Sequence, residues 1–143
     1  MSKIAVVYWS GTGNTEMMAL KVAEGAKAAG AEATMFTAAE FSPAAMDQFD
    51  AIAFGCPSMG AEQLEETTFE PMFAACEPKL KGKKIALFGS YGWGDGEWMR
   101  DWVERMTAAG ATVVGGEGVI CQDAPDDDAK TACEELGKKL AAV

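Results

Sequence analysis

Histidine is absent from this 143-residue chain, and that absence removes more chemistry than most motifs add. No Ser–His or Cys–His nucleophile pair can be assembled. The four cysteines, Cys56, Cys76, Cys121 and Cys133, stand far apart with no Cys-x-x-Cys. Thioredoxin-type exchange, zinc fingers and locally ligated iron–sulfur clusters are thereby excluded, and no metal site is expected. Free buried thiols in a reducing cytosol are the expected state. No apolar run approaches the roughly 20 residues of a membrane span, and the N-terminus lacks a signal peptide's apolar stretch. A soluble cytoplasmic protein is expected. Positive charge is scarce as well, 12 basic residues against 22 acidic for a net of −10. Nucleic acid and anionic membranes are poor partners for such a chain. A basic protein partner, met transiently, suits it; acidity serving solubility alone suits it equally.

What is present is an alternation of apolar strands with amphipathic helices. Strand patterns cover Lys3–Trp9, Ala33–Phe36, Ala51–Gly55, Lys84–Gly89 and Thr112–Ile120. Helical patterns cover Thr15–Ala29, Thr67–Cys76, Glu97–Ala109 and Asp126–Ala142, with a weak turn at Pro43–Gln48. Near-continuous apolar strands imply a parallel sheet covered on both faces, so the expected fold is α/β, a doubly wound five-stranded sheet. Residues 1–143 read as a single domain, and ligands on such a sheet bind beyond the strand C-termini.

The stretch Tyr8-Trp9-Ser10-Gly11-Thr12-Gly13-Asn14-Thr15 sits at such an edge. A Gly-rich, hydroxyl-rich turn opening a helix is suited to an anion, because the first-turn amides are unpaired and the dipole favours negative charge. Without a lysine it is no Walker A loop, and Glu16 stands where a dinucleotide fingerprint needs its third glycine. Neutral donors alone suit a terminal phosphomonoester; a plain strand–helix turn with good capping residues fits the same residues. Two further loops are unusual. After strand three comes Gly55-Cys56-Pro57-Ser58-Met59-Gly60-Ala61-Glu62-Gln63-Leu64-Glu65, and after strand four Gly89-Ser90-Tyr91-Gly92-Trp93-Gly94-Asp95-Gly96-Glu97-Trp98. Aromatics set between glycines suggest a flat group to stack upon, and a loop thioether packs well on a ring. Phosphate at one end and ring-facing groups at the other describe a mononucleotide with a planar heteroaromatic base. Cys56 reads as a packed thiol, and Trp98 with Trp102 as core residues.

These three segments, together with Phe69-Glu70-Pro71 and Gly137-Lys138-Lys139, resemble the short-chain flavodoxins of clostridia and related anaerobic bacteria. The resemblance implies a flavodoxin-like parallel sheet ordered 2-1-3-4-5, holding one FMN without a covalent link. It implies that Ser10, Gly11, Thr12, Gly13, Asn14 and Thr15 hold the phosphate. Ser58, Met59, Gly60, Ala61 and Glu62 would form one ring loop; Gly89, Ser90, Tyr91, Gly92, Trp93 and Gly96 would form the other. Met59 would lie on the inner face of the isoalloxazine, Trp93 would cover the outer face, and Glu62 would accept from N3–H. The Gly60–Ala61 peptide would turn its carbonyl to N5–H on reduction. Relatives often carry a polar residue where this chain has Ala61, which alters the contacts of the semiquinone.

The implied function is a low-potential one-electron carrier working between the semiquinone and hydroquinone of FMN, monomeric and without a substrate of its own. Glu62, Glu65, Glu66, Asp95 and Glu97 crowd the ring loops. One such charge at about 10 Å and an effective dielectric of about 20 opposes an anionic flavin by roughly 1.7 kcal/mol, or about 70 mV. A small FMN-dependent quinone or NAD(P)H reductase is the competing reading, but it needs a second pocket for which no spare loop is visible. A phosphoacceptor signalling domain fails, since Trp9-Ser10-Gly11 and Gly55-Cys56-Pro57 stand where it needs acidic residues.

Overall fold

Three apolar segments with buried interiors and a half-exposed edge segment form most of a parallel sheet in the computed structural model, which describes residues 2–59 and 62–142. They are β1 (Lys3–Tyr8), β2 (Glu32–Thr37), β3 (Ala51–Gly55) and β4 (Lys84–Tyr91), in the order β2-β1-β3-β4. Every residue of β3 is buried, as a central strand covered on both faces must be. Helices α1 (Asn14–Ala28) and α5 (Asp127–Ala141) cover one face. The short α2 (Pro43–Met46), α3 (Phe69–Cys76) and α4 (Glu97–Ala108) cover the other.

The fifth position departs from the unbroken Thr112–Ile120 strand expected from the pattern. Two short segments occupy it, β5 (Thr112–Val113) beside Lys84–Ile85 and β6 (Val119–Gln122) beside Phe88–Tyr91. Gly115 and Gly116 between them adopt φ of 86° and 79°, a left-handed conformation that no strand can include. The order 2-1-3-4-5 of the flavodoxin fold therefore holds, with its edge strand in two pieces.

The two faces are filled differently. Against α3 and α4 the core is aromatic: Phe54 meets Phe73 at 5.3 Å and 88°, and Phe69 meets Trp102 at 5.5 Å and 88°. Trp98 and Trp102 are both buried there, as the four-residue spacing suggested. Against α1 and α5 the core is mostly aliphatic and small, with Ile4, Val6, Met18, Ala19, Val22 and Leu140, and Phe88 as a buried aromatic.

Register then decides where the loops meet. Tyr8 pairs with Gly55 and Gly55 with Phe88, so β1 and β3 end in one row, which β4 overruns by three residues. Tyr91 pairs with Gln122, so the loop after β6 emerges at the same edge.

Candidate functional site

A cleft of about 220 Å³ opens at that edge. From the first loop it is lined by Trp9, Ser10, Gly11, Thr12, Asn14 and Thr15. Pro57, Ser58 and Met59 line it from the second loop, and Ser90, Tyr91 and Gly92 from the third. Asp123 lines it from the loop after β6.

At one end the chain presents an open helix terminus. The N-cap of α1 is Gly13, with φ of 95° and no side-chain cap. The Ser10 hydroxyl accepts from the Gly13 amide at 3.0 Å, and the Thr12 hydroxyl from the Asn14 amide at 3.4 Å. These local bonds curl the loop round the terminus, where the amides of Thr15 and Glu16 lack intrahelical acceptors. Thr15 is 1 % exposed, yet its hydroxyl has no partner. A buried hydroxyl left unpaired is unfavourable by about 1–3 kcal/mol, so its place in the cleft wall points to an absent acceptor.

The other end is framed by Met59, Tyr91 and Asp123. Met59 and Gln63 exchange backbone hydrogen bonds of 2.8 and 3.0 Å, closing the tip of the second loop. The Ser58 amide donates to the Ser90 carbonyl at 3.0 Å, tying second loop to third. The Ser90 hydroxyl donates to the Asp123 carbonyl at 2.7 Å, and the Asp123 amide donates to the Tyr91 carbonyl at 2.8 Å. Asp123 itself sits at φ 57°, a conformation that Asp tolerates better than most residues. Tyr91 leans on Trp98 with ring centroids 5.6 Å apart.

The sequence model of the Flavodoxin family matches residues 6–136. Flavodoxins from Megasphaera elsdenii and Clostridium beijerinckii are each 46% identical to this chain over 138 residues. Those alignments cover 96% of this chain and 98% and 99% of the two relatives. A solution structure of two-electron reduced Megasphaera elsdenii flavodoxin superposes with a TM-score of 0.87, at 44% identity, covering 98% of this chain and 99% of that one.

The chain belongs to the flavodoxin family.

Flavodoxins are FMN-binding electron carriers, which implies redox partners. The cleft fits that cofactor on two counts: an uncapped helix terminus with an unpartnered Thr15 hydroxyl for the phosphate, and thioether and aromatic walls for the ring. Of the residues that the resemblance singles out, Ser10, Gly11, Thr12, Asn14, Thr15, Ser58, Met59, Ser90, Tyr91 and Gly92 meet in the cleft. Gly13 caps the helix beside it. Four others stand outside the lining. Glu62 rests against Gly94, at φ 53°, and Trp93 is 62% exposed. Gly89 is packed under the Cys56 carbonyl, and Gly96 caps α4. Gly60 and Ala61, with the peptide between them, lie outside the described residues.

Asp123 and Pro57 escaped the sequence reading, as did Trp9 as a wall of the cleft. Trp9 and Pro57 lie within motifs already singled out. Asp123 follows an edge strand and carries no local signal; only the pairing of β6 with β4 brings it in. None of the cysteines lines the cleft, and burial pushes the Cys56 and Cys133 thiols up to about 12 and Cys76 up to about 11. Cys121 is half-buried and also raised by burial. Near the ring loops the field is negative: Asp101, then Glu62, raises the Glu97 carboxyl. The Arg100 guanidinium is tied to Asp95 at 3.0 Å. Among the described residues no helix is long and apolar enough to cross a membrane.

Proposed function

We propose that residues 1–143 act as a single FMN-binding domain that carries one electron at a time between redox proteins and has no substrate of its own. The observation that carries this reading is the buried, unpartnered Thr15 hydroxyl beside the open terminus of α1, in one cleft with Met59 and Tyr91. In this reading Ser10, Thr12, Asn14 and Thr15, with the amides of Gly11, Thr15 and Glu16, hold the phosphate through neutral donors. Met59 and Tyr91 supply apolar surface to the ring and exclude water from it, while Ser58 and backbone groups from Gly89 to Gly92 meet its polar edge. Glu62, Trp93 and Gly96, with the peptide joining residues 60 and 61, complete that end. FMN, when bound, supplies the one-electron chemistry. The chain supplies orientation and a negative field from Glu62, Asp95 and Glu97, which disfavours added negative charge on the ring and lowers its potential.

A net charge of −10 suits transient association with basic-faced reductases and acceptor proteins in the cytoplasm, the chain itself remaining a monomer. Apo-protein titrated with FMN and with riboflavin tests the cofactor reading. FMN is expected to bind at least about 100-fold tighter, the difference being the phosphate contacts, two charge-assisted hydrogen bonds or more. Anaerobic potentiometry on the loaded protein is expected to resolve two separated one-electron potentials. Steady NADH oxidation by the loaded protein alone would instead favour the reductase.

A further inference from the structure

The loop between β3 and α3 brings Ser58 and Met59 to the cleft, yet what holds that loop in place lies behind it. Its two stems meet at one point, where the Glu65 amide donates to the Cys56 sulfur at 3.4 Å. Cys56 is itself fixed: its amide donates to the Phe88 carbonyl at 3.1 Å, and its carbonyl accepts from Trp98 Nε1 at 3.1 Å. Glu65 is 6% exposed, an unusual place for a carboxylate. Its oxygens accept from the amides of Thr67, Thr68 and Phe69 at 2.9, 2.8 and 2.8 Å, and from the Thr67 hydroxyl. Its own carbonyl accepts from the Glu70 amide at 2.8 Å.

Four successive amides, 67 to 70, therefore end on one residue. Thr68, the N-cap of α3, adds no side-chain bond of its own. The positive end of α3 and these charge-assisted bonds compensate the buried charge. An amide side chain in its place would offer one acceptor oxygen and present an N–H group to an amide donor.

We propose that Glu65 is a positioning residue for the isoalloxazine end of the FMN site. By closing the Cys56–Glu65 stem and the first turn of α3 together, it holds Ser58 and Met59 at the cleft without touching the ligand. This rests on the FMN reading above. It also assigns Cys56 a role, as the sulfur acceptor that completes the stem.

The test compares three probes on the full-length apo-protein: FMN, riboflavin, which reads the ring end alone, and inorganic phosphate, which reads the helix terminus alone. For Glu65→Gln, riboflavin and FMN affinities are expected to fall together by about tenfold, the equivalent of one charge-assisted hydrogen bond, with phosphate affinity unchanged. Oxidised and two-electron-reduced FMN should be weakened by different factors, moving the midpoint potential, which loss of stability alone would not do. Thr67→Val, which removes one donor to the same carboxylate, should shift riboflavin the same way by about threefold and decides the matter if Glu65→Gln does not fold. Unchanged riboflavin affinity in both variants, or phosphate affinity falling in parallel with it, overturns the proposal. Wild-type protein that binds neither FMN nor riboflavin overturns the FMN reading and the proposal with it.

Discussion

At the phosphate end of the cleft, the side-chain hydrogen bonds that shape the loop span three residues and two. At the ring end, the bonds from Ser90 to Asp123 and from Trp98 to Cys56 span 33 and 42 residues. One end is bent into shape by its own neighbours, the other by strands and helices remote in the chain. The phosphate cradle should therefore tolerate changes that the ring end does not, and one kind of substitution should have unequal consequences at the two ends.

The sharpest form of this contrast is Gly89→Ala. A Cβ there would run into the Cys56 carbonyl oxygen, which is held by Trp98 and cannot retreat. Overpacking against fixed backbone should destabilise the apo-protein by about 3 kcal/mol or more. Urea denaturation is the measurement, and a loss below about 1 kcal/mol would show that the ring end yields more easily than its long-range bonds imply.

Acid titration comes next in size. Burial alone would raise the Glu65 carboxyl, but donation from the Thr67 hydroxyl and the amides of Phe69, Thr68 and Thr67 outweighs it and brings the group down to about 2. A depressed carboxyl contributes stability that is complete above the unfolded value near 4.5 and lost as pH falls through about 2. Other carboxylates relieve mutual repulsion on protonation, so the informative quantity is wild type minus Glu65→Gln. That difference is expected to be about 2 kcal/mol at pH 7 and to shrink between pH 4.5 and 2. A difference independent of pH would mean that packing, and not charge, is what the substitution removes.

Legibility in the sequence followed the same division. The strand–helix alternation was readable because it rests on local periodicity, whereas the strand order was implied only by the resemblance to flavodoxins. The phosphate loop was readable because Ser10, Thr12 and Gly13 shape it among themselves. Asp123 was not, because only the pairing of β6 with β4 carries it to the cleft. The break in the fifth strand was missed for a different reason: Val113, Val114, Val119 and Ile120 keep a strand-like composition on both sides of Gly115 and Gly116. Glu65 looked like one more acidic residue, since nothing in its neighbours signals that four amides converge on it.

Thr15→Val separates folding from binding at the local end. The hydroxyl is buried and unpaired, so the near-isosteric replacement should stabilise the apo-protein by about 1 kcal/mol. FMN affinity should fall about tenfold with riboflavin unaffected, because the lost donor serves only the phosphate. Thermal denaturation and parallel ligand titrations read both effects. A destabilised apo-protein with unchanged FMN binding would mean that the hydroxyl supports the helix and not the ligand.

The smallest effect closes the comparison that Gly89→Ala opens. Gly13→Ala makes the same chemical change at a position where a new Cβ has nothing within 4 Å. Only the backbone objects: at φ 95° an L-residue is disfavoured by about 1–2 kcal/mol, and the stiffer unfolded chain returns about 0.4–1 kcal/mol of that. The net should be a loss of about 1 kcal/mol or less by urea denaturation, with phosphate affinity lowered no more than about threefold if the terminus of α1 keeps its shape. A loss approaching that of Gly89→Ala would show that the phosphate loop, too, is held by distant contacts, and the distinction between the two ends would collapse.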